Sequence, residues 1–178
     1  MLKAVLNQHL RPVNEARRKG LKRIKHEARR ENQRPAVLDV LRAFIEPVLH
    51  LKGEGRSDSD FGALIGRAFV DPDETVQKIF LDLVKPVSAL MLDLLGRALP
   101  DLPKETLIWR FQFLIGAMAT AMCMYDNPKF ESPRLTETKL DWLIESLLSF
   151  VDAGMEAPLS RKRFCSPKES GGNKKRGK

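Results

Sequence analysis

Two cysteines, Cys123 and Cys165, are too few and too differently placed to staple a fold: one lies in an apolar stretch, the other in a basic run. A disulfide framework is thereby excluded, and a reducing compartment fits. Strand signals are missing as well, since no run rich in Val, Ile, Thr and Tyr alternates with polar residues between turn residues. Nor is there an apolar run of membrane length. The uninterrupted part, Phe113 to Tyr125, falls short of the roughly 18–20 residues that a span needs, and extending it backwards puts Arg110 inside the bilayer. Motifs for chemistry are equally scarce. His9, His26 and His50 have no metal-ligand spacing with cysteines or carboxylates, and neither cysteine sits in a nucleophile motif. Gly53-Glu54-Gly55 lacks both the preceding strand and the Lys-Ser/Thr ending of a phosphate loop. These absences exclude enzyme readings: no catalytic residue, metal ligand or cofactor is expected. Met1 to Leu10 carries no long apolar segment, so no secretory signal is read, and the Arg-rich start lacks the serine of a transit peptide. A cytoplasmic location is expected.

What the chain does have is helical periodicity over most of its 178 residues, enough for one domain with a full core. The fold class read from it is all-α, a bundle of about six helices. The first runs from Leu2 to about Arg30, with Pro12 predicting a kink or break near Leu10. Its apolar residues thin out after Val13, so its second half is expected to project into solvent or lie on a charged partner. Arg34-Pro35 opens a second helix carrying Leu38, Leu41, Phe44, Ile45, Val48 and Leu49, with a bend expected near Ala43 from Pro47. A loop over 51–60 precedes a short helix at 61–69. Asp71-Pro72-Asp73-Glu74 is a capping signature for the long helix that follows. That helix places Val76, Ile79, Phe80, Leu83, Val84, Val87 and Leu90 on one broad face, with Pro86 midway, and stops at Leu99-Pro100. Bends in core helices leave carbonyls unpaired and space unfilled, which suits the wall of a ligand cavity and equally suits a packing irregularity without function.

The most apolar segment is Leu107 to Tyr125. It has no polar face, so its own chain, a second copy or lipid must cover it, and lipid is the weakest of the three. A loop over 125–133 leads to a last helix from about Leu135 to Ala153, with Gly154 as its stop. Leu140, Leu143, Ile144, Leu147, Leu148 and Val151 form one stripe of it. Trp142, Ser146, Phe150 and Ala153 form a second, and a second stripe suggests a second partner.

Charge is divided unevenly. Residues 1–34 hold 11 Lys or Arg against Glu15, Glu27 and Glu31, and residues 159–178 hold eight against Glu169, whereas residues 35–158 hold 12 against 19 acidic residues. The net +8 therefore belongs to the two ends of an acidic body. Such ends permit weak contact with a polyanion, and a solvated basic face explains them as well. Three regions result: a basic connecting helix over 1–30, a domain over 31–157, and a tail over 158–178 expected to be disordered.

Several strings, taken in order, resemble the C-terminal part of a TetR-family (tetracycline-repressor-like) transcriptional regulator. They are Leu2-Lys3-Ala4-Val5-Leu6 through Asn14, Arg34-Pro35 with Ala43-Phe44-Ile45-Glu46-Pro47, Leu64-Ile65-Gly66-Arg67 before Asp71-Pro72, Ala98 to Pro103, and Trp109 to Met118. The resemblance covers residues 2–157. It implies a ligand-sensing domain of a regulator, with repression relieved by a small apolar inducer, and a homodimer held by helices 104–125 and 135–154 of each copy. Interface residues on this basis are Gly116, Ala117, Thr120, Ala121, Trp142, Ser146 and Phe150. Pocket residues are Phe44, Val48, Phe80, Val84, Trp109, Phe113 and Met118, with Arg110 or Gln112 as polar anchor; for each, plain core packing is the competing reading. The family's helix-turn-helix head is expected to end just before residue 1, so operator contact is assigned to no residue here. Two other functions remain open: a helical nucleic-acid-binding protein using its basic ends, and a headless partner that forms heterodimers with a full-length repressor.

Overall fold

The periodic segments form five α-helices among the residues that the computed structural model describes, 2–53, 74–125 and 139–159. They are α1 (Leu2–Arg30), α2 (Val37–Gly53), α3 (Glu74–Ala98), α4 (Lys104–Met124) and α5 (Lys139–Glu156). No strand occurs among them, so the all-α class holds. The short helix expected at 61–69, the Asp71 cap, most of the two long loops and the tail beyond Leu159 lie outside the described residues.

α2 lies at the centre, touching each of the other four described helices, while α1 packs on α2 and α3, and α4 packs on α3 and α5. Its core stripe is Val37, Val40, Leu41, Phe44, Ile45, Val48 and Leu49, all buried. The i, i+3, i+4 spacing is dense enough that the helix offers little of itself to water. Around it lie Leu10, Val13, Leu21 and Ile24 of α1, Val87, Met91, Leu94 and Leu95 of α3, and Ile144, Leu147, Leu148 and Val151 of α5.

The second half of α1 does not project into solvent. Leu21 and Ile24 are buried and continue the stripe of Leu10, Val13 and Asn14 through Arg17, at intervals of three and four residues. Leu21 and Ile24 suffice because the approach is close: a Cβ at Gly20 would come within 3.1 Å of the Ala43 Cβ on α2. The basic residues Arg18, Lys19, Lys22 and Arg23 take the outer face, as expected of a solvated surface. The turn just past α1 holds Asn32, whose φ of 50° is the left-handed conformation that asparagine tolerates. The Gln33 and Asn32 N–H groups there donate back to the Ala28 and Arg29 carbonyls, the Schellman arrangement.

The three prolines do not end their helices. Pro12, Pro47 and Pro86 each lie inside an unbroken element, so the break considered near Leu10 does not occur. Gly154 is not a stop either, because α5 runs on to Glu156. Its last turn is held by Arg110 of α4, which donates to the carbonyls of Met155 and Ala157. A cation at a helix C-terminus satisfies orphan carbonyls and opposes the dipole, so a glycine there is not needed to terminate the helix. α4 and α5 therefore run antiparallel.

Candidate functional site

Two places in the fold depart from the rule that apolar groups go inside and charges outside. The first is where α1, α2, α3 and α4 meet. Arg17 is 3% exposed there, and Asn14 is 6% exposed one turn before it. Arg17 Nε donates to the Phe44 carbonyl at 2.7 Å, and one Nη2 hydrogen points to the Met118 sulfur at 3.5 Å. Its guanidinium lies 4.0 Å above the centre of the Phe44 ring, a cation–π contact. Asn14 Nδ2 donates to the Leu83 carbonyl of α3 at 3.0 Å, and its Oδ1 is buried without a hydrogen-bond partner.

Both accepting carbonyls stand three residues before a proline, Phe44 before Pro47 and Leu83 before Pro86. A proline removes the N–H that would pair with the carbonyl four residues back, and its ring pushes on that carbonyl. The next carbonyl is thereby left open to a second donor, and α1 supplies one to each helix. Burial pushes the Arg17 pKa down from its ordinary value to about 9, so the group is still a cation at neutral pH. Among the described residues it has no carboxylate partner.

The second place is the outer face of α4 and α5. Trp109 (62% exposed), Phe113 (67%), Trp142 (56%) and Phe150 (70%) all face water. The Trp109 and Phe113 rings are 6.2 Å apart, and Phe113 and Phe150 share an apolar groove of about 130 Å³ floored by Leu114, Val151 and Met155. Gly116, Thr120 and Ser146 are exposed as well. A Cβ at Gly116 would meet nothing within 4 Å, and the Thr120 hydroxyl donates to the Gly116 carbonyl of its own helix.

The expected pocket residues accordingly divide. Phe44, Val48 and Met118 are buried and Val84 is partly buried, and Arg17 joins Phe44 to Met118. Phe44 also meets the edge of Phe111, with ring centres 5.9 Å apart. Trp109 and Phe113, placed in the pocket from sequence, stand instead on the exposed face, because the buried stripe of α4 is Leu107, Phe111, Leu114, Ile115, Met118 and Met122. Arg110 holds the end of α5 and lines the groove beside Phe113 and Phe150, away from Phe44 and Met118, and Gln112 is exposed. The Phe80 side chain lies outside the described residues. Among the expected interface residues Gly116, Thr120, Trp142, Ser146 and Phe150 are exposed, whereas Ala117 and Ala121 are half-buried against the core.

Arg17 and Asn14 were missed in the sequence because a basic run hides them. The signal was their register: positions 14, 17, 21 and 24 lie on one face of a helix. An ion pair fixes α5 to the centre, since Arg42 of α2 donates to both carboxylate oxygens of Glu145 at 2.6 and 3.1 Å, and to Glu46 at 2.7 Å. The Arg42 hydrogen bond holds the Glu145 carboxyl below its ordinary range, and Glu145 raises the Arg42 pKa in turn.

Residues 42–154 match the family of tetracyclin repressor-like, C-terminal domains. No curated protein and no solved structure gives a significant match.

Proposed function

From the premise that this chain belongs to the tetracycline repressor-like C-terminal domain family, we propose that it works as a homodimer, senses a small and largely apolar molecule, and relieves repression when that molecule binds. Membership makes it the ligand-binding and dimerisation domain of a transcription regulator. The finer reading rests chiefly on one observation, the exposed aromatic cluster of Trp109, Phe113 and Phe150 on α4 and α5, with Trp142 exposed further along α5. A cluster of that kind in water marks a surface awaiting a partner, and antiparallel helices bearing glycine, threonine and serine between the aromatics suit self-association about a two-fold axis. The regulator acts in the cytoplasm on this reading. Helix α1 is the route by which ligand and dimer state reach a DNA-reading head, since its Asn14 and Arg17 bind α2 and α3 directly. A ligand that favours one packing of these helices shifts the population of dimer shapes.

Sedimentation of the full chain tests the dimer. At micromolar concentration we expect a dimer, and Phe113→Glu with Phe150→Glu is expected to weaken it by about 100-fold, the loss typical of central aromatic anchors. A wild-type monomer under those conditions would overturn this reading.

A further inference from the structure

We infer that Arg17 and Asn14 form the head-group site for an anionic, otherwise apolar small molecule bearing a carboxylate, held where α1, α2, α3 and α4 meet. This rests on the ligand-sensing reading above and adds the ligand's chemical class and its anchor.

The reasoning starts from what the local structure requires of each side chain. The Phe44 carbonyl, beside the one that Pro47 deprives of a donor, calls on α1 for no more than one further hydrogen-bond donor. A neutral glutamine would provide one without bringing a charge into the core. Arginine provides it with Nε alone and carries a full positive charge to a place 3% exposed. Nothing described there neutralises it: the neighbours are a carbonyl, a thioether sulfur and a phenyl ring. A buried charge is costly unless it is paired, and its burial lowers the Arg17 pKa without bringing a counter-charge. Beyond Nε and the one Nη2 hydrogen, the rest of the fork donates to no described residue. A planar fork with free donors matches a carboxylate, which accepts two parallel bonds. The orphaned Asn14 Oδ1, one turn away on the same face, accepts a hydrogen bond from a hydroxyl or amide on the same ligand. Phe44 and Met118 surround the charged end with apolar surface, so the remainder of the ligand is hydrocarbon or aromatic. The cleft bounded by Lys25, Arg29, Arg34 and Arg97 is a poorer anion site, because Lys25 and Arg97 are both engaged by Asp93.

The test is thermal unfolding of the full chain with octanoate, dodecanoate and naphthoate, each beside its neutral primary amide. Binding to the folded state alone raises the Tm by an amount that grows with the logarithm of one plus the ratio of ligand concentration to Kd, so at equal ligand concentration the tighter binder gives the larger shift. At least one acid is expected to bind about tenfold more tightly than its amide. Arg17→Gln, which keeps a donor for the Phe44 carbonyl, should unfold at or above the wild-type Tm without ligand and lose the preference for the acid. Arg17→Lys, which keeps the charge, should retain part of it. If acid and amide stabilise the wild-type chain equally, the head-group inference fails while ligand sensing stands. If no probe stabilises it, both fail. A purely structural Arg17 gives a different pattern: Arg17→Met lowers the Tm, Arg17→Gln restores it, and no acid preference appears. The wild-type comparison of acid with amide decides the matter even if a variant does not fold.

Discussion

The inner corner around Arg17 and the outer face of α4 and α5 break the same partitioning rule in opposite directions. One hides a cation among apolar groups, and the other shows two tryptophans and two phenylalanines to water. Neither arrangement is what a lone subunit needs in order to fold. A neutral side chain at 17 and polar ones at 109, 113, 142 and 150 would serve an isolated monomer better. The difference teaches that the two departures call for different partners: the inner one lacks a negative charge, the outer one lacks apolar cover.

The comparison breaks most easily on phenylalanine. Phe44→Ala should destabilise the subunit by about 3–5 kcal/mol in urea denaturation, the usual loss for a large buried aromatic. Phe113→Ala, measured in the dilute range where the chain is monomeric, should change stability by no more than about 0.5 kcal/mol, as surface substitutions do. Equal losses at the two sites would mean that Phe113 belongs to the core. Glycine gives a smaller contrast with opposite signs. Gly20→Ala gains helix propensity of about 0.5–1 kcal/mol. It also forces its new Cβ against the Ala43 Cβ at 3.1 Å, an overpacking that typically costs about 1–3 kcal/mol, so the Tm should fall. Gly116→Ala enters open space and should raise subunit stability by about 0.5–1 kcal/mol, and on the proposed homodimer, with Gly116 at the helix approach, it should weaken association. The same sign at both glycines in melts of the monomer would erase the distinction between inner and outer surfaces.

The smallest effect concerns the ion pair that ties the central helix to the outer one. Glu145 has its pKa lowered in the folded state by Arg42, so its contribution is present above the unfolded carboxylate pKa of about 4.3 and is lost as pH falls through the lower folded value. Melts across that acidic window should show a steeper fall for wild type than for Arg42→Met. Parallel curves would mean that the pair is only a surface contact of little worth.

A charged substitution at Ala117 or Ala121, the obvious interface probe from sequence, tests less than it promises. Both residues are half-buried against their own core, so a charge there disturbs folding as well as association. The substitutions at Phe113, Gly116 and Phe150 separate the two effects.

Periodicity and composition determined the all-α class, the positions of the five described helices to within a few residues, and most of the buried stripes of α2 and α5, because each of these is local and follows from spacing along the chain. Leu38, expected on the α2 stripe, is exposed, and Val37 and Val40 are buried instead. The family was legible in strings such as Ala43 to Pro47 and Trp109 to Met118. Which face of α4 turned inward was not, since a helix apolar all round has no pattern to choose by; only packing against α2, α3 and α5 put Phe111 and Met118 inside and Trp109 and Phe113 outside. The burial of Arg17 was hidden for a related reason. Among many basic residues in α1, the one three residues past Asn14 becomes buried only when α2 brings its Phe44 carbonyl to it while α3 brings the Leu83 carbonyl to Asn14, and that meeting exists only in three dimensions.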